Sequence, residues 1–443
     1  MKRCFALLLA GALALSLLTS CELMAPGPTE RPSIGLPGEP AGTDEALPTE
    51  TADQTVDEYG FTIFPEGNYL ADPKFDTDEF LPDYDADLSF LQPFTSLSEV
   101  LCRTDDTVYA CSVNLSGSLI TYMDKATGIS APLCGKPECL HNDDSCNAYL
   151  SYGAFGLRVY DGKLYWLNES GDLSSAIMRA NLDGTDRETV GTFQRSEDRS
   201  LANPFAVIHR GYAYYAYTIA EIVDRVATYR SVIRAIPVSG GEMVTIFEST
   251  GSGHVGIIPV GNELYIEIAT ENRSLSFYKW DSKSRKGEHI ADIDGPESGA
   301  DGSDISTDKD SIIIGGSGAG VTFTWNFWPV PEDGIYFVGF EASSNTYSVW
   351  KYSFQSKETA MLFSVGHRMN GFTKNYIITT DREFAYAYDY NGEPVFAVPH
   401  GEYTFSVFIG ADESFIYGFH YGADGRECFF AAPVDGGEVI VIG

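Results

Sequence analysis

The sequence predicts an all-β protein, a β-propeller of seven four-stranded blades preceded by a disordered tether. Three observations predict it. The chain is rich in both turn formers and strand formers, with 44 Gly beside 27 Phe, 26 Tyr and 5 Trp in 443 residues, as many short strands joined by tight turns require. Apolar residues make up 44% of it, enough to bury a large core. From residue 97 onward, an apolar strand, a small polar turn and a strand rich in Tyr, Ile or Val recur with a period of about 50 residues, near that of a propeller blade.

The first turns of the units are Asp105-Asp106, Asp161-Gly162, Arg210-Gly211, Gly261-Asn262, Asp333-Gly334, Lys374-Asn375 and Asp412-Glu413. The second turns are Lys125–Gly128, Asp183-Gly184, Gly240-Gly241, Ser282–Gly287, Gln355–Lys357, Asn391-Gly392 and Gly436-Gly437. Many of these residues accept the positive φ of a tight hairpin. Two hairpins per unit give four strands, and closing the units into a ring leaves no sheet face bare. Six and eight blades are the alternatives, because the fifth unit is long and carries DKDSIII (308–314) before Val321–Trp325. Residues 220–236 have apolar residues at helical spacing. The frame of neighbouring strands predicts a loop plus strand there, with a short helical insertion as the alternative.

Before the repeat the chain changes character three times. Lys2 and Arg3 precede an apolar run from Phe5 to Leu18, which has the length of a signal peptide (1–20) rather than of a permanent membrane span. The run ends in Leu18-Thr19-Ser20-Cys21, which resembles a bacterial lipobox. That resemblance implies cleavage before Cys21 and lipidation of its thiol, hence a protein held to the cell membrane by its lipid and facing outward. Residues 21–58 hold this Cys and a Pro-, Glu- and Thr-rich linker without apolar periodicity, so a disordered spacer is expected. Residues 59–96 are acidic but carry aromatic anchors such as Tyr59, Phe61, Phe75 and Tyr84. They are expected to pack irregularly on the domain of 97–443. Asp83, Asp85 and Asp87 form a D-x-D-x-D run. Leu88 and Phe94 stand where a calcium loop needs Gly and Glu, so a solvated acidic stretch is expected.

Formal net charge is −34, which argues against nucleic acid or anionic lipid as a general partner. Membrane attachment is therefore expected only through the N-terminal lipid.

Past Cys21 the cysteines are Cys102, Cys111, Cys134, Cys139, Cys146 and Cys428. The run Cys134-x4-Cys139-x-His141-x4-Cys146 offers three thiolates and an imidazole in a loop at 134–146, a donor set for a tetrahedral structural zinc with no open position. Disulfides are the alternative, since thiols outside a membrane tend to oxidise. Candidate bridges are Cys134 with Cys139 or Cys146, and Cys102 with Cys111 across a hairpin, with Cys428 as a further partner. The sequence leaves both readings open and requires no other cofactor. Trp325-Asn326-Phe327-Trp328 is the densest aromatic patch. Trp325 and Trp328 could grip a ligand at a blade rim, although packing between blades is the favoured role. The seven His (141, 209, 254, 289, 367, 400, 420) are scattered, and no hydrolase, phosphate-binding or His-Glu-x-x-His motif occurs.

The second unit, DGKLYWLN…AIMRANLDGTDRETV, is similar to blades of extracellular low-density-lipoprotein-receptor-type propellers. It is also similar to a related propeller domain of unknown function in Gram-positive lipoproteins. PLCGKPECLHNDDSCNAY resembles a cysteine-rich insertion in lipoproteins of anaerobic Firmicutes. The receptor's Tyr-Trp-Thr-Asp signature reads Tyr165-Trp166-Leu167-Asn168 here, so that kinship is loose. These resemblances imply a surface location and a binding or scaffold role toward a protein, peptide or glycan. The alternatives are a glycan hydrolase or lyase working in the propeller channel, and a structural component of the cell envelope.

Overall fold

The computed structural model describes residues 55–443 apart from 86–91, 94–100, 115–116, 151–153, 170–173, 195–199, 224–225, 271–273, 295–305, 309–310, 314–320, 342–343, 374, 382, 400–406, 412–413, 422–426, 436 and 443. Cys21, the signal peptide and residues 22–54 lie outside the described residues.

The chain forms a seven-bladed β-propeller. Blade 1 has strands Leu101–Arg103, Thr107–Asn114, Gly117–Asp124 and Ser130–Pro132. Blade 2 has Ala154–Tyr160, Lys163–Glu169, Ser174–Asn181 and Glu188–Gln194. Blade 3 follows with Ser200–His209, Tyr212–Val223, Val226–Pro237 and Val244–Thr250. Ser252–Val260, Glu263–Thr270, Leu275–Asp281 and Lys286–Ile293 make blade 4. Val321–Val330, Gly334–Glu341, Thr346–Ser353 and Thr359–Val365 make blade 5. Arg368–Phe372, Ile377–Thr380, Phe384–Tyr388 and Pro394–Pro399 form blade 6, and Val407–Ala411, Phe415–Tyr421, Glu427–Pro433 and Ile440–Val441 form blade 7. Each sheet is antiparallel, with strands in sequence order. First strands meet in turn from blade 1 to blade 5, and again between blades 6 and 7, which places them on the axial side of the ring.

The turns read from the sequence fall between these strands, except that Gly334 and Lys286-Gly287 already begin the strands that follow. Asp161 (φ 48°) with Gly162 (φ 65°), and Arg210 (φ 42°) with Gly211 (φ 81°), have both central residues left-handed, the geometry that matches strand twist in a two-residue hairpin. Two uncertain stretches are resolved. Ser306–Asp308 and Ser311–Ile313 pair as a separate small hairpin, so the length before blade 5 is an insertion and not an eighth blade. The described residues of 220–236 are all strand, in place of the loop plus strand or helical insertion expected there. Tyr212–Val223 pairs with Val226–Pro237 along its whole length, from Tyr212 opposite Pro237 to Val223 opposite Val226. Ile222, Val223, Val226, Val232 and Ile233 are β-branched and fit a pleated sheet better than a helix.

The core lies between blades. Val108, Ile120 and Leu101 of blade 1 pack with Leu164 and Trp166 of blade 2, and with Tyr417, Phe429 and Ile442 of the last blade. Further clusters join blades 2 and 3, 3 and 4, 4 and 5, 5 and 6, and 6 and 7. The first and last blades share no strand. Blade 7 draws all four strands from 407–441, and Ser130 Oγ donates to the Ile442 carbonyl at 2.6 Å across the junction. Among the described residues closure therefore rests on side-chain burial and on this hydrogen bond.

Residues 55–85 form a strap over the face that carries the first and second turns of the blades. The Thr62 N–H donates to the Ile246 carbonyl (3.0 Å) and the Glu248 N–H donates to that of Gly60 (2.9 Å), so the strap adds to the outer edge of blade 3. Phe61 is buried against Phe247, Tyr278 and Trp280. Gly287 makes its seat, because a Cβ there would lie 2.3 Å from the Phe61 ring. Tyr84 donates to Asp161 at 2.8 Å, and Asn262 donates to the Asp78 carbonyl at 2.7 Å.

Asp85 is not solvated, contrary to the expectation for the D-x-D-x-D run. Its side chain is 0% exposed and its carboxylate takes Arg210 bidentately, at 2.6 and 3.0 Å. The same guanidinium donates to the carbonyls of Thr77 (2.5 Å) and Glu79 (2.8 Å). One acid of the run becomes a buried anchor because a cation on a hairpin turn meets it, while Asp83 is exposed as expected. Asp87 lies outside the described residues. Further along, Gln92–Pro93 pairs with Gly371 and Phe372 on the free edge of blade 6's first strand, so the chain passes on the axial side of that blade.

Candidate metal centre

The centre is built on an interruption of blade 1's fourth strand. Ser130–Pro132 pairs with 121–123 of the third strand, and Tyr149–Leu150 resumes the pairing at Ser118 and Leu119. Between them Ile120 holds both feet of a loop: its carbonyl accepts from Leu133 N–H (2.9 Å) and its N–H donates to the Ala148 carbonyl (2.8 Å). Residues 134–147 are thereby pushed out of the sheet. A loop this long at a blade edge has little core of its own; Leu140, at its tip, is 81% exposed.

Its order comes from a knot of side chains. One donor atom each from Cys134, Cys139, His141 and Cys146 lies within 4.8 Å of all the others. His141 Nδ1 is 3.2 Å from Cys146 Sγ. His141 holds a left-handed φ of 54°, an uncommon conformation outside glycine that turns the ring back toward the cysteines. The Cys139 N–H donates to the Lys136 carbonyl and the Cys146 N–H to that of Asp143. Blade 2 braces the outside, where Arg187 donates to the carbonyls of Tyr149 (2.8 Å), Cys146 (3.4 Å) and Asn147. Gly184 (φ 80°) permits this approach, since a Cβ would sit 3.0 Å from the Leu133 carbonyl oxygen.

The electrostatics set two of the thiols apart. Burial pushes the Cys146 thiol up to about 11, against backbone N–H groups of Ala148 and Tyr149 that lower it. At Cys134 burial also raises the pKa, but hydrogen bonds from the N–H groups of Lys136 and Asn147 and from the neighbouring thiols outweigh it and hold Cys134 below the usual thiol range. Cys134 therefore deprotonates before Cys146. Four donors in tetrahedral array around a metal with bonds of about 2.0–2.3 Å stand about 3.3–3.8 Å apart, within the spread seen here. None of Cys134, Cys139 and Cys146 is in a disulfide. The donor set can hold a metal ion and offers it no open coordination position.

The other sequence candidates are dispersed. In the hairpin Cys102 faces Tyr109 and Cys111 faces Ile120, so the two are not directly opposed, and no disulfide joins them. Burial pushes the Cys102 thiol up to about 12. Cys428 lies in the third strand of blade 7, its side chain outside the described residues. Trp328 is 2% exposed and packs with Tyr336 and Val338 between blades 5 and 6, so it offers no face to a ligand. The side chain of Trp325 is outside the described residues. The histidines do not gather into a second metal cluster among the described residues.

One buried acid carried no signal in the sequence. Glu267, in the second strand of blade 4, is 0% exposed, and neither carboxyl oxygen has a hydrogen-bond partner among the described residues. The corresponding fifth residue of that strand is Leu167, Ala216 and Val338 in blades 2, 3 and 5. Gly256 opposite leaves room for it: a Cβ there would meet Glu267 Oε2 at 3.3 Å and His254 Nε2 at 3.6 Å. Burial pushes the Glu267 carboxyl up to about 8 and the His254 imidazole down to about 4, so both are neutral near pH 7. Folding holds a proton on Glu267 that the unfolded chain releases near its ordinary value of about 4.3. Its contribution is thus intact below pH ~4 and is lost as pH rises to about 8. Glu267→Gln is expected to stabilise the protein by about 4–5 kcal/mol at pH 8 and hardly at all at pH 4. Urea titrations of both proteins at the two pH values check this, with His254 cancelling in the difference. Parallel pH profiles for variant and parent would refute it.

No family model and no curated protein matches the chain. Solved structures resemble it at low identity. An acylaminoacyl peptidase in complex with Z-Gly-Gly-Phe-chloromethyl ketone is 10% identical over 80% of this chain and 53% of its own, with a TM-score of 0.48. A puromycin-hydrolyzing peptidase from Mycobacterium tuberculosis is 10% identical over 81% of this chain and 56% of its own, at 0.46. An oligogalacturonate lyase in complex with manganese is 12% identical over 80% of this chain and 96% of its own, at 0.44. The chain spans about half the length of the two peptidases. Fold and site together define a seven-bladed β-propeller with a three-cysteine, one-histidine loop set into its first blade.

Proposed function

We propose that this protein is a lipid-anchored extracytoplasmic propeller that serves as a binding or scaffold module for a protein, peptide or glycan, with a structural zinc in the loop of blade 1. The strap carries the reading. Residues from 55 onward are bonded to the turns of blades 2, 3 and 4, so a spacer that starts at a lipidated Cys21 would hand over to a fixed point on the ring. A module displayed on a tether gains from such a clamp, because its binding surfaces keep one relation to the anchor. The backbone ladder of Gln92–Pro93 on the axial edge of blade 6 favours a binding surface over an active site in the channel. Among the described residues no helix is long and apolar enough to cross a membrane, and attachment is assigned to lipid on Cys21.

Zinc is the proposed ion because it is borderline soft and accepts this sulfur-rich tetrahedral set. Cys134, Cys139, His141 and Cys146 would hold it, and a closed site supplies cohesion rather than chemistry. The lipid assignment is tested by growing cells that express the full chain with an alkyne analogue of palmitate. The wild-type protein should carry the label, with Cys21 as its first residue by mass spectrometry, and Cys21→Ala should carry none. A mature N-terminus elsewhere, or equal labelling of Cys21→Ala, would overturn the assignment.

A further inference from the structure

We propose that the groove between blades 4 and 5 seats a basic side chain of a polypeptide partner, arginine above lysine. This rests on the binding-module reading and names the chemistry of one subsite. The groove has a cavity volume of about 430 Å³, within the range of ligand pockets. It opens on the strap-bearing face, between turn residues of the two blades such as Asn262 and Glu332. Ile290, Phe354 and Tyr265 supply an apolar and aromatic lining, and Glu288 and Glu332 supply carboxylates.

The charge accounting selects the ligand. Glu263 is already satisfied, by Lys279 at 2.6 Å and by the Tyr265 hydroxyl at 2.5 Å. No ion pair engages Glu288 or Glu332 among the described residues. Against these two acids stands one unengaged base, Lys357. The groove thus keeps a surplus negative charge beside a smaller apolar patch at Ile290 and Phe354, on a chain whose net charge of −34 draws cations toward it. A long aliphatic stem with a cationic head fits both features. Guanidinium fits better than ammonium, because its planar fork can serve two carboxylates and lie on an aromatic face.

The groove is also preorganised. His289 on its wall is stacked on Tyr59 of the strap, with centroids 4.9 Å apart and planes 4° from parallel. Asn262 is bonded to the Asp78 carbonyl. Walls fixed before binding lower its entropic cost.

The test uses the full chain in detergent and a labelled pentapeptide amide, Gly-Ala-Arg-Ala-Gly, followed by fluorescence anisotropy. Peptides with lysine or citrulline at the centre are the comparisons, and free agmatine is a competitor. The arginine peptide should bind at least about 10-fold more tightly than the citrulline peptide, a difference of about 1.4 kcal/mol, with lysine between them. The double variant E288Q/E332Q should lose that preference. Lys357→Ala should bind about 3-fold more tightly, a gain that misfolding does not produce. Equal binding of arginine and citrulline peptides, an unchanged E288Q/E332Q, or no binding at millimolar peptide would overturn the proposal. Agmatine binding as tightly as the peptide would overturn its polypeptide part, assigning the groove to a small free cation. All these results leave the lipid-anchored reading standing, since labelling at Cys21 decides that separately.

Discussion

Asp85→Ala is expected to cost about 3–5 kcal/mol and to release the strap. The size follows from what the substitution leaves behind. The Arg210 side chain is 6% exposed, and without Asp85 its charge would be buried among carbonyl oxygens with no counter-ion. Unfolding the strap is the cheapest escape, because it returns Arg210 to water while the blades stay intact. Limited proteolysis should therefore cut within 55–85 in the variant before it cuts the ring, and the urea transition should become biphasic. Replacing both partners, as D85L/R210M, should recover much of the loss, since an apolar pair carries no desolvation penalty. A loss below about 1 kcal/mol for Asp85→Ala would show that the pair is not buried in solution.

Cys139→Ala, or removal of the ion by a chelator, is expected to abolish metal binding and to unfold residues 134–147. Free energies of about 10–16 kcal/mol are available when zinc orders a small peptide domain. Much of that is spent here on a loop whose remaining attachments are the Ile120 hydrogen bonds and Arg187. Amide hydrogens of the loop should lose more than about 100-fold of their protection. The thermal transition of the ring should move by only a few degrees, because the clusters between blades persist without the loop. Cys102→Ala is the contrasting control, deleting a buried thiol beside the same blade without touching the ion. Unchanged exchange in the Cys139→Ala loop would refute the metal knot.

Much of the fold was legible because blades repeat a local pattern. Many hairpins sign themselves with residues that accept positive φ, so Asp161-Gly162 and Asn391-Gly392 mark their turns regardless of distant contacts. The cysteine-histidine cluster was legible for a similar reason: its four side chains fall within 13 consecutive residues. What escaped was long-range. Arg210 read as an ordinary turn residue, and only the folded strap brings Asp85 to it from 125 residues away. Residues 222–236 carry apolar residues at helical spacing, and at Val232, Ile233, Ala235 and Ile236 both faces of the strand are apolar and buried, which erases the alternation that marks a strand. Glu267 had no signal at all, since one acid among 63 shows its burial only when blades 4 and 5 close over it. Trp328 likewise reads as a patch in one dimension and as packing in three.

Native mass spectrometry of the intact, natively produced protein, before and after chelation and followed by thiol alkylation, bears most directly on the Cys134–Cys146 loop. The account predicts one zinc per chain, lost on chelation, after which Cys134, Cys139 and Cys146 all take the alkylating reagent. A metal-free chain whose loop cysteines resist alkylation until a reductant is added would contradict it and assign the loop to cystine bridges.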